Sequence, residues 1–163
     1  MPTRTSTANA AARDDLVEAV VGASRVLVAI AARSLADRSD DVTLPQYRLL
    51  VVLTAEGPHR VGDLAAALDV NPSTATRLCD RLEGKGLVER QRIPTDRRAV
   101  QLVATDAGHR LVDQVMADRR VEIGRILATM SPEQHRQVAD GLRLFSESAG
   151  EVPDRHWTVG WRR

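Results

Sequence analysis

The chain has 163 residues, a net charge of +1 and one cysteine, Cys79. This length suits a single domain with a real hydrophobic core. No apolar run approaches the roughly 20 residues that span a bilayer, and no signal-peptide pattern opens the chain, so we expect no membrane association. A lone cysteine cannot form an internal disulfide, which is typical of the reducing cytoplasm.

The positive charge is concentrated in one short window. Residues 1–70 contain 7 basic and 9 acidic side chains, and residues 99–163 contain 9 of each. Residues 71–98, in contrast, contain 7 basic and only 4 acidic side chains. Such a local excess indicates a surface for an anionic partner, although an ordinary solvated face would have the same composition.

The first half of the chain shows helical periodicity. Residues 1–12 are small, polar and unpatterned, and they predict a mobile tail. A long amphipathic helix is predicted over residues 14–38. Pro45 suits the first turn of a second helix that ends at Gly57 and Pro58. The segment VGDLAAALDV, residues 61–70, predicts a short third helix.

A fourth helix and a hairpin come next. In NPSTATRLCDRLEGKG, Asn71 is a good N-cap and Pro72 a good first helical residue, and a glycine follows the helix. Residues 87–92 and 99–104 predict two strands joined by a bend at Pro94-Thr95-Asp96. Two short helices, a tight connection and a hairpin are what a winged helix-turn-helix requires.

Two more helices complete the predicted fold. One runs from about residue 106 to 130, and Ser131-Pro-Glu-Gln134 forms a capping box that starts the last helix. The fold class is therefore mostly α, with six helices and a β-hairpin wing. We expect residues 44–105 to form the DNA-binding lobe, 13–40 and 106–148 a helical dimerisation region, and 149–163, with Trp157 and Trp161, a tail. These outer helices carry more apolar surface than the lobe can cover, which predicts a homodimer.

The outer face of the fourth helix has the residue types of a DNA-reading surface. Ala75, Leu78, Cys79 and Leu82 cluster on one side of the helix, which we expect to be buried. Small hydroxyls and arginines lie on the opposite side. Hydroxyls permit close approach to phosphates or base edges, and arginine can pair with guanine in the major groove. The predicted major-groove residues are Ser73, Thr74, Thr76, Arg77 and Arg81.

The hairpin supplies a second set of arginines. Arg90 and Arg92 alternate onto one face of the first strand and are predicted to contact phosphates. At the tip, Arg97 and Arg98 can reach a minor groove, where inserted arginine is favoured. Asp96 can orient a neighbouring guanidinium. A charged edge hairpin that only prevents aggregation is the competing interpretation.

Residues 44–108 resemble the multiple antibiotic resistance regulator (MarR) family of winged-helix transcription factors. The resemblance is carried by VGDLAAALDVNPSTATRLCDRLEGKGLVER, by Asp96-Arg97-Arg98 and by ATDAG at 104–108. It implies a homodimer on a pseudo-palindromic operator, with Arg98 in the family's minor-groove position and Arg97 an extra candidate. It also implies a repressor relieved by a small phenolic or aromatic ligand, whose binding residues the sequence leaves unknown.

Other classes of function have weaker signals. We find no phosphate loop, nucleophile elbow or HExxH helix, so we expect no catalytic residues. The four histidines are scattered, so we expect no metal and no cofactor. Two alternatives remain open: a winged-helix protein-interaction module that does not bind DNA, and a regulator that responds to thiol oxidation through Cys79.

Overall fold

The structure, a computed structural model, describes residues 4–39, 41–93 and 96–149, with side chains described for 11–39, 41–92 and 100–149. This part of the chain contains six helices and one antiparallel hairpin, which confirms the predicted fold class. The elements in chain order are α1 (Arg4–Ala36), α2 (Leu44–Glu56), α3 (Val61–Leu68), α4 (Pro72–Gly84), β1 (Val88–Ile93), β2 (Asp96–Ala104), α5 (Asp106–Leu127) and α6 (Pro132–Ser148).

The first helix begins earlier than its apolar stripe predicts. The expected tail over residues 1–12 is wrong for residues 4–12, which are the first part of α1. Four of the five residues from 8 to 12 are alanine. Alanine has the highest intrinsic helix propensity, so a helix can continue here without an apolar stripe to mark it.

The lobe is built around α2, whose side chains are buried on several sides. Leu49, Leu50 and Leu53 contribute to one core with Leu64 of α3 and Leu82 of α4. As predicted, Pro45 lies in the first turn of α2, and the backbone N–H of Thr43 is bonded to Gln46 Oε1 at 2.9 Å. Because α2 contacts α3, α4, α5 and β2, it fixes the position of α4 and of the hairpin.

The base of the hairpin is joined to the helical part of the lobe. Its register pairs Val88 with Ala104 and Arg90 with Leu102. The sequence did not indicate a further bridge, in which His59 exchanges backbone hydrogen bonds with Leu102 at 3.1 and 2.8 Å. Gly86, at φ 68°, lets the chain turn from α4 into β1. Pro94 and Thr95, part of the predicted bend, lie outside the described residues.

Ion pairs join α5 to α1 and to the residues just after α1. Arg38 makes a forked contact with Asp118, at 2.5 Å from Nε and 2.7 Å from Nη2. This hydrogen bond is the main reason that the pKa of Asp118 is lowered and that of Arg38 is raised. Arg33 pairs with Glu122 one turn further along α5. These contacts orient α1 along α5, although exposed ion pairs contribute little stability individually.

The last helix has almost no contact with the rest of the chain. Ser131 and Gln134 form the predicted capping box, with the Ser131 N–H donated to Gln134 Oε1 at 2.8 Å. None of the residues of α6 is buried. Val138, Leu142 and Phe145 form an apolar stripe at helical spacing, and this stripe is exposed, Phe145 to 54%. No described helix is long and apolar enough to cross a membrane.

Candidate nucleic-acid interface

The orientation of α4 is set by its inner face. Ala75, Leu78, Cys79 and Leu82 are all buried against the lobe, as predicted. The helix must therefore present its opposite side to solvent. Ser73, Thr76, Arg77 and Arg81 are exposed there, whereas Thr74 is half-buried. Four of the five predicted major-groove residues thus lie on one accessible surface.

The first turn of α4 is held by a cap. The Asn71 Oδ1 accepts hydrogen bonds from the Thr74 N–H and the Ser73 hydroxyl, both at 2.8 Å. The Thr76 hydroxyl donates to the Pro72 carbonyl at 2.9 Å. Since each hydroxyl uses its proton within the helix, each oxygen remains available as an acceptor. Such oxygens suit base amino groups better than phosphates.

The two arginines of α4 are placed differently. The Arg77 Nη2 donates to the Thr74 hydroxyl at 3.3 Å, which lays its side chain toward the start of the helix. Arg81 is exposed and pairs with no described side chain. Both guanidiniums therefore remain accessible to an anion.

On the first strand of the hairpin, Arg90 has carboxylate partners that the sequence did not predict. Arg90 and Arg92 alternate onto one face of β1, and the Arg90 side chain extends from it to α4. The Arg90 guanidinium contacts Asp80 at 2.6 Å and also Glu83. Arg92 is exposed and pairs with no described side chain. Of the two predicted phosphate ligands, only Arg92 is thus uncommitted among the described residues.

The tip of the hairpin is described only as backbone. Asp96 begins β2, so Asp96, Arg97 and Arg98 all belong to the strand beside β1. Their side chains lie outside the described part of the structure. The minor-groove role of Arg97 and Arg98 therefore remains a prediction.

Two interactions near this surface were not predicted from the sequence. Asp80 and Glu83 lie three residues apart, a spacing that brings two carboxylates together on one helix face and could have suggested a basic partner. Lys85 Nζ donates to the Asp41 carbonyl at 2.6 Å. The only lysine in the chain thereby contacts the loop between α1 and α2.

Cys79 lies in an environment that buries its thiol and makes it unreactive. It is fully buried on the inner side of α4. Burial raises the pKa of the thiol to about 11, although the Arg90 guanidinium lowers it in part. Since the thiolate is the reactive form, this thiol is poorly suited to sensing oxidants. Among the described residues, no three metal-ligating side chains are grouped.

Known proteins are similar to this chain in sequence and in architecture. Residues 42–100 match the MarR family. The chain is 35% identical over 108 residues to the HTH-type transcriptional repressor MdtR of Bacillus subtilis, covering 66% of this chain and 70% of MdtR. It is 31% identical over 108 residues to the HTH-type transcriptional regulator YfiV of the same organism, covering 66% of this chain and 68% of YfiV.

Solved structures give the same result over a longer stretch. The crystal structure of RV1404 from Mycobacterium tuberculosis aligns with a TM-score of 0.80 and 40% identity, covering 85% of this chain and 94% of RV1404. A MarR family protein from Bacillus stearothermophilus aligns with a TM-score of 0.75 and 26% identity, over 84% and 94% of the two chains. The protein therefore belongs to the MarR family of transcriptional regulators, and it is a regulator rather than an enzyme.

Proposed function

We propose that the protein is a homodimeric repressor that binds a pseudo-palindromic DNA operator. The observation that carries this proposal is the accessible face of α4, joined to the adjacent wing by Arg90. Ser73, Thr76, Arg77 and Arg81 would read the major groove, with Thr74 beside them and Arg92 on a phosphate. Arg97 and Arg98 would enter the minor groove, with Asp96 orienting them. The name of the relative MdtR supports repression.

The exposed apolar side chains support the homodimer. All but one of the large hydrophobic side chains that are exposed lie on α1, on the second half of α5 and on α6, in the described part of the chain. A monomer rarely leaves so much apolar surface in water. We propose that a second copy covers it and that α4, the recognition helix, of each copy lies about one turn of DNA, roughly 10 bp, from the other.

DNA binding is tested by its salt dependence. With some six to eight phosphates neutralised per dimer, log K should fall against log salt with a slope of roughly −5 to −7.

Arg98→Ala should weaken binding by about 1–3 kcal/mol without disturbing the fold. The control, Arg143→Ala, removes the same charge from the exposed surface of α6. The measurement is fluorescence anisotropy with a genomic operator fragment.

One result would contradict this function, and another would contradict the role of Arg98. No retention of duplex at low salt would favour the protein-interaction module. Equal affinities for wild type, Arg98→Ala and Arg143→Ala would remove Arg98 from the interface, even if the slope is as expected.

We also propose where a relieving ligand binds. The Tyr47 hydroxyl on α2 and Arg119 Nε on α5 are buried and have no hydrogen-bond partner among the described residues. Burial raises the pKa of Tyr47 to about 12, while the nearby Arg119 acts in the opposite direction. A ligand that brings a hydrogen-bond acceptor, such as the oxygen of a carboxylate or phenolate, would satisfy these two buried donors. A ligand there would act between the lobe and α5.

Tyr47→Phe tests this placement. The variant should gain about 1 kcal/mol in the free energy of unfolding, because it removes a buried hydroxyl without a partner. 4-Hydroxybenzoate should raise the melting temperature of the wild type and not of the variant. A large loss of stability in Tyr47→Phe would show that the hydroxyl is already bonded. An equal thermal shift in both proteins would place the ligand elsewhere.

A further inference from the structure

A three-residue ion-pair cluster connects the recognition helix to the wing. Arg90 Nη2 lies 2.6 Å from Asp80 Oδ1, and Arg90 Nη1 contacts Glu83 Oε2. Asp80 and Glu83 are one turn apart on α4, and Arg90 lies in the middle of β1. The guanidinium fork therefore spans one turn of the helix. All three side chains are partly shielded, with exposures of 34% for Arg90, 55% for Asp80 and 36% for Glu83.

The cluster lies within the surface that we propose to face DNA. Asp80 follows Arg77 by three residues, on the same exposed side of α4. Two uncompensated carboxylates at this place would repel the phosphate backbone. Arg90 compensates one of these charges and holds both carboxylates against the hairpin. A guanidinium used in this way has few donors left for a phosphate.

The hairpin has no other ion pair with α4 among the described residues. The base of the hairpin is fixed by the side chains of Val88 and Leu102, which are both buried in the core. Further out, Val100 is exposed to 44% and offers no packing against the helix. The direction of the outer half of the wing thus depends on Arg90, which makes the described ion pairs between the hairpin and α4.

We infer that Arg90 is a positioning residue that joins the wing to the recognition helix and sets the separation of the two DNA-reading elements. The inference rests on the proposed function, because the separation matters only if both elements engage one duplex. It replaces the phosphate contact predicted from the sequence. Asp80 and Glu83 contribute to this positioning, because their carboxylates accept the hydrogen bonds of the Arg90 guanidinium.

The test compares Arg90→Ala with Arg92→Ala, which removes the same charge from the same face of β1, two residues further along. Arg90→Ala should weaken operator binding on the order of tenfold while the slope of log K against log salt stays within about half a unit of wild type. Arg92→Ala should make the slope shallower by about 2 per dimer, because one phosphate contact is lost in each half. If the slope becomes as shallow in Arg90→Ala as in Arg92→Ala, the inference is overturned.

A second measurement needs no DNA. Amide hydrogen exchange in the outer half of β1 should be faster in Arg90→Ala than in wild type or Arg92→Ala, because the wing is released from α4. Unchanged exchange in Arg90→Ala would contradict the inference even if DNA affinity falls. Faster exchange in a protein that binds no duplex would support the ion-pair role and refute the proposed function.

A combined variant separates position from charge. Asp80→Asn and Glu83→Gln, added to Arg90→Ala, remove the exposed carboxylates but leave the wing unattached. Exchange should remain fast, and operator affinity should recover only in part. Full recovery of affinity would show that Arg90 acts by masking charge alone and would exclude the positioning role.

Discussion

Replacing Gly108 with alanine should destabilise the protein by about 3 kcal/mol. Gly108 lies in the first turn of α5, where an alanine would ordinarily favour the helix. Here a Cβ would lie 2.3 Å from the Leu87 carbonyl oxygen and 3.0 Å from Leu50 Cδ1. The carbonyl cannot withdraw easily, because it also accepts the Thr105 N–H at 3.1 Å. The steric cost therefore exceeds the gain in helix propensity.

The clash lies at the base of the wing, so its effects should extend beyond stability. Leu87 precedes β1 and Thr105 follows β2, and the Thr105 hydroxyl donates to the Gly86 carbonyl at 2.7 Å. Moving α5 away would disturb the connection that orients the hairpin. Operator affinity should fall together with the free energy of unfolding.

Gly62→Ala is the matched control for this variant. Gly62 also lies in the first turn of a helix, but nothing is within 4 Å of its Cβ position. This substitution should stabilise the protein by about 0.5 kcal/mol. Urea denaturation of both variants gives the comparison. If Gly108→Ala is as stable as Gly62→Ala, the close approach of α5 to Leu87 does not exist in solution.

Phe145→Asp should separate the proposed dimer. Phe145 is exposed to 54% in the single chain, on the apolar stripe of α6 with Val138 and Leu142. In a dimer that covers this stripe, the substitution removes an aromatic contact and places a carboxylate in an apolar surface. The dimer dissociation constant should rise by at least about 30-fold. Sedimentation velocity over a range of concentrations measures it.

Ala139→Asp provides the control for charge. Its side chain is exposed and, directly after Val138 in the chain, lies on another side of α6. The dimer should tolerate this substitution, and each single chain should remain folded since no residue of α6 is buried. A wild type that sediments as a monomer, or equal dissociation constants for both variants, would exclude the stripe as the interface. Loss of the dimer should also weaken operator binding, because one recognition helix reads only one half-site.

Local patterns were sufficient to predict most of the fold. Asn71 and Ser131 cap α4 and α6 as their sequence positions indicate. The inner face of α4 follows from the helical period alone. These features depend on neighbours within about four residues, which the sequence shows directly. The start of α1 was not predictable from apolar periodicity, since alanine extends a helix without marking a face.

The candidate site was predictable in part. Exposure of Arg77 and Arg81 follows from burial of the opposite face of α4. The partners of Arg90 do not follow from local pattern, because β1 and α4 approach each other only after the chain turns at Gly86. The alternation of Arg90 and Arg92 predicted a shared face correctly. It could not predict that the Arg90 side chain extends from this face to two carboxylates.

By itself, the sequence determined the type, order and caps of the elements, and therefore the winged-helix lobe and its family. Only the tertiary structure decided three other matters: that Arg90 joins the wing to α4, that Gly108 must lack a side chain, and that α6 is the outer helix without a buried residue. The physical reason is the range of the interactions. Helix propensity and capping act between close neighbours, whereas ion pairing, steric contact and burial depend on residues that meet only in the folded chain.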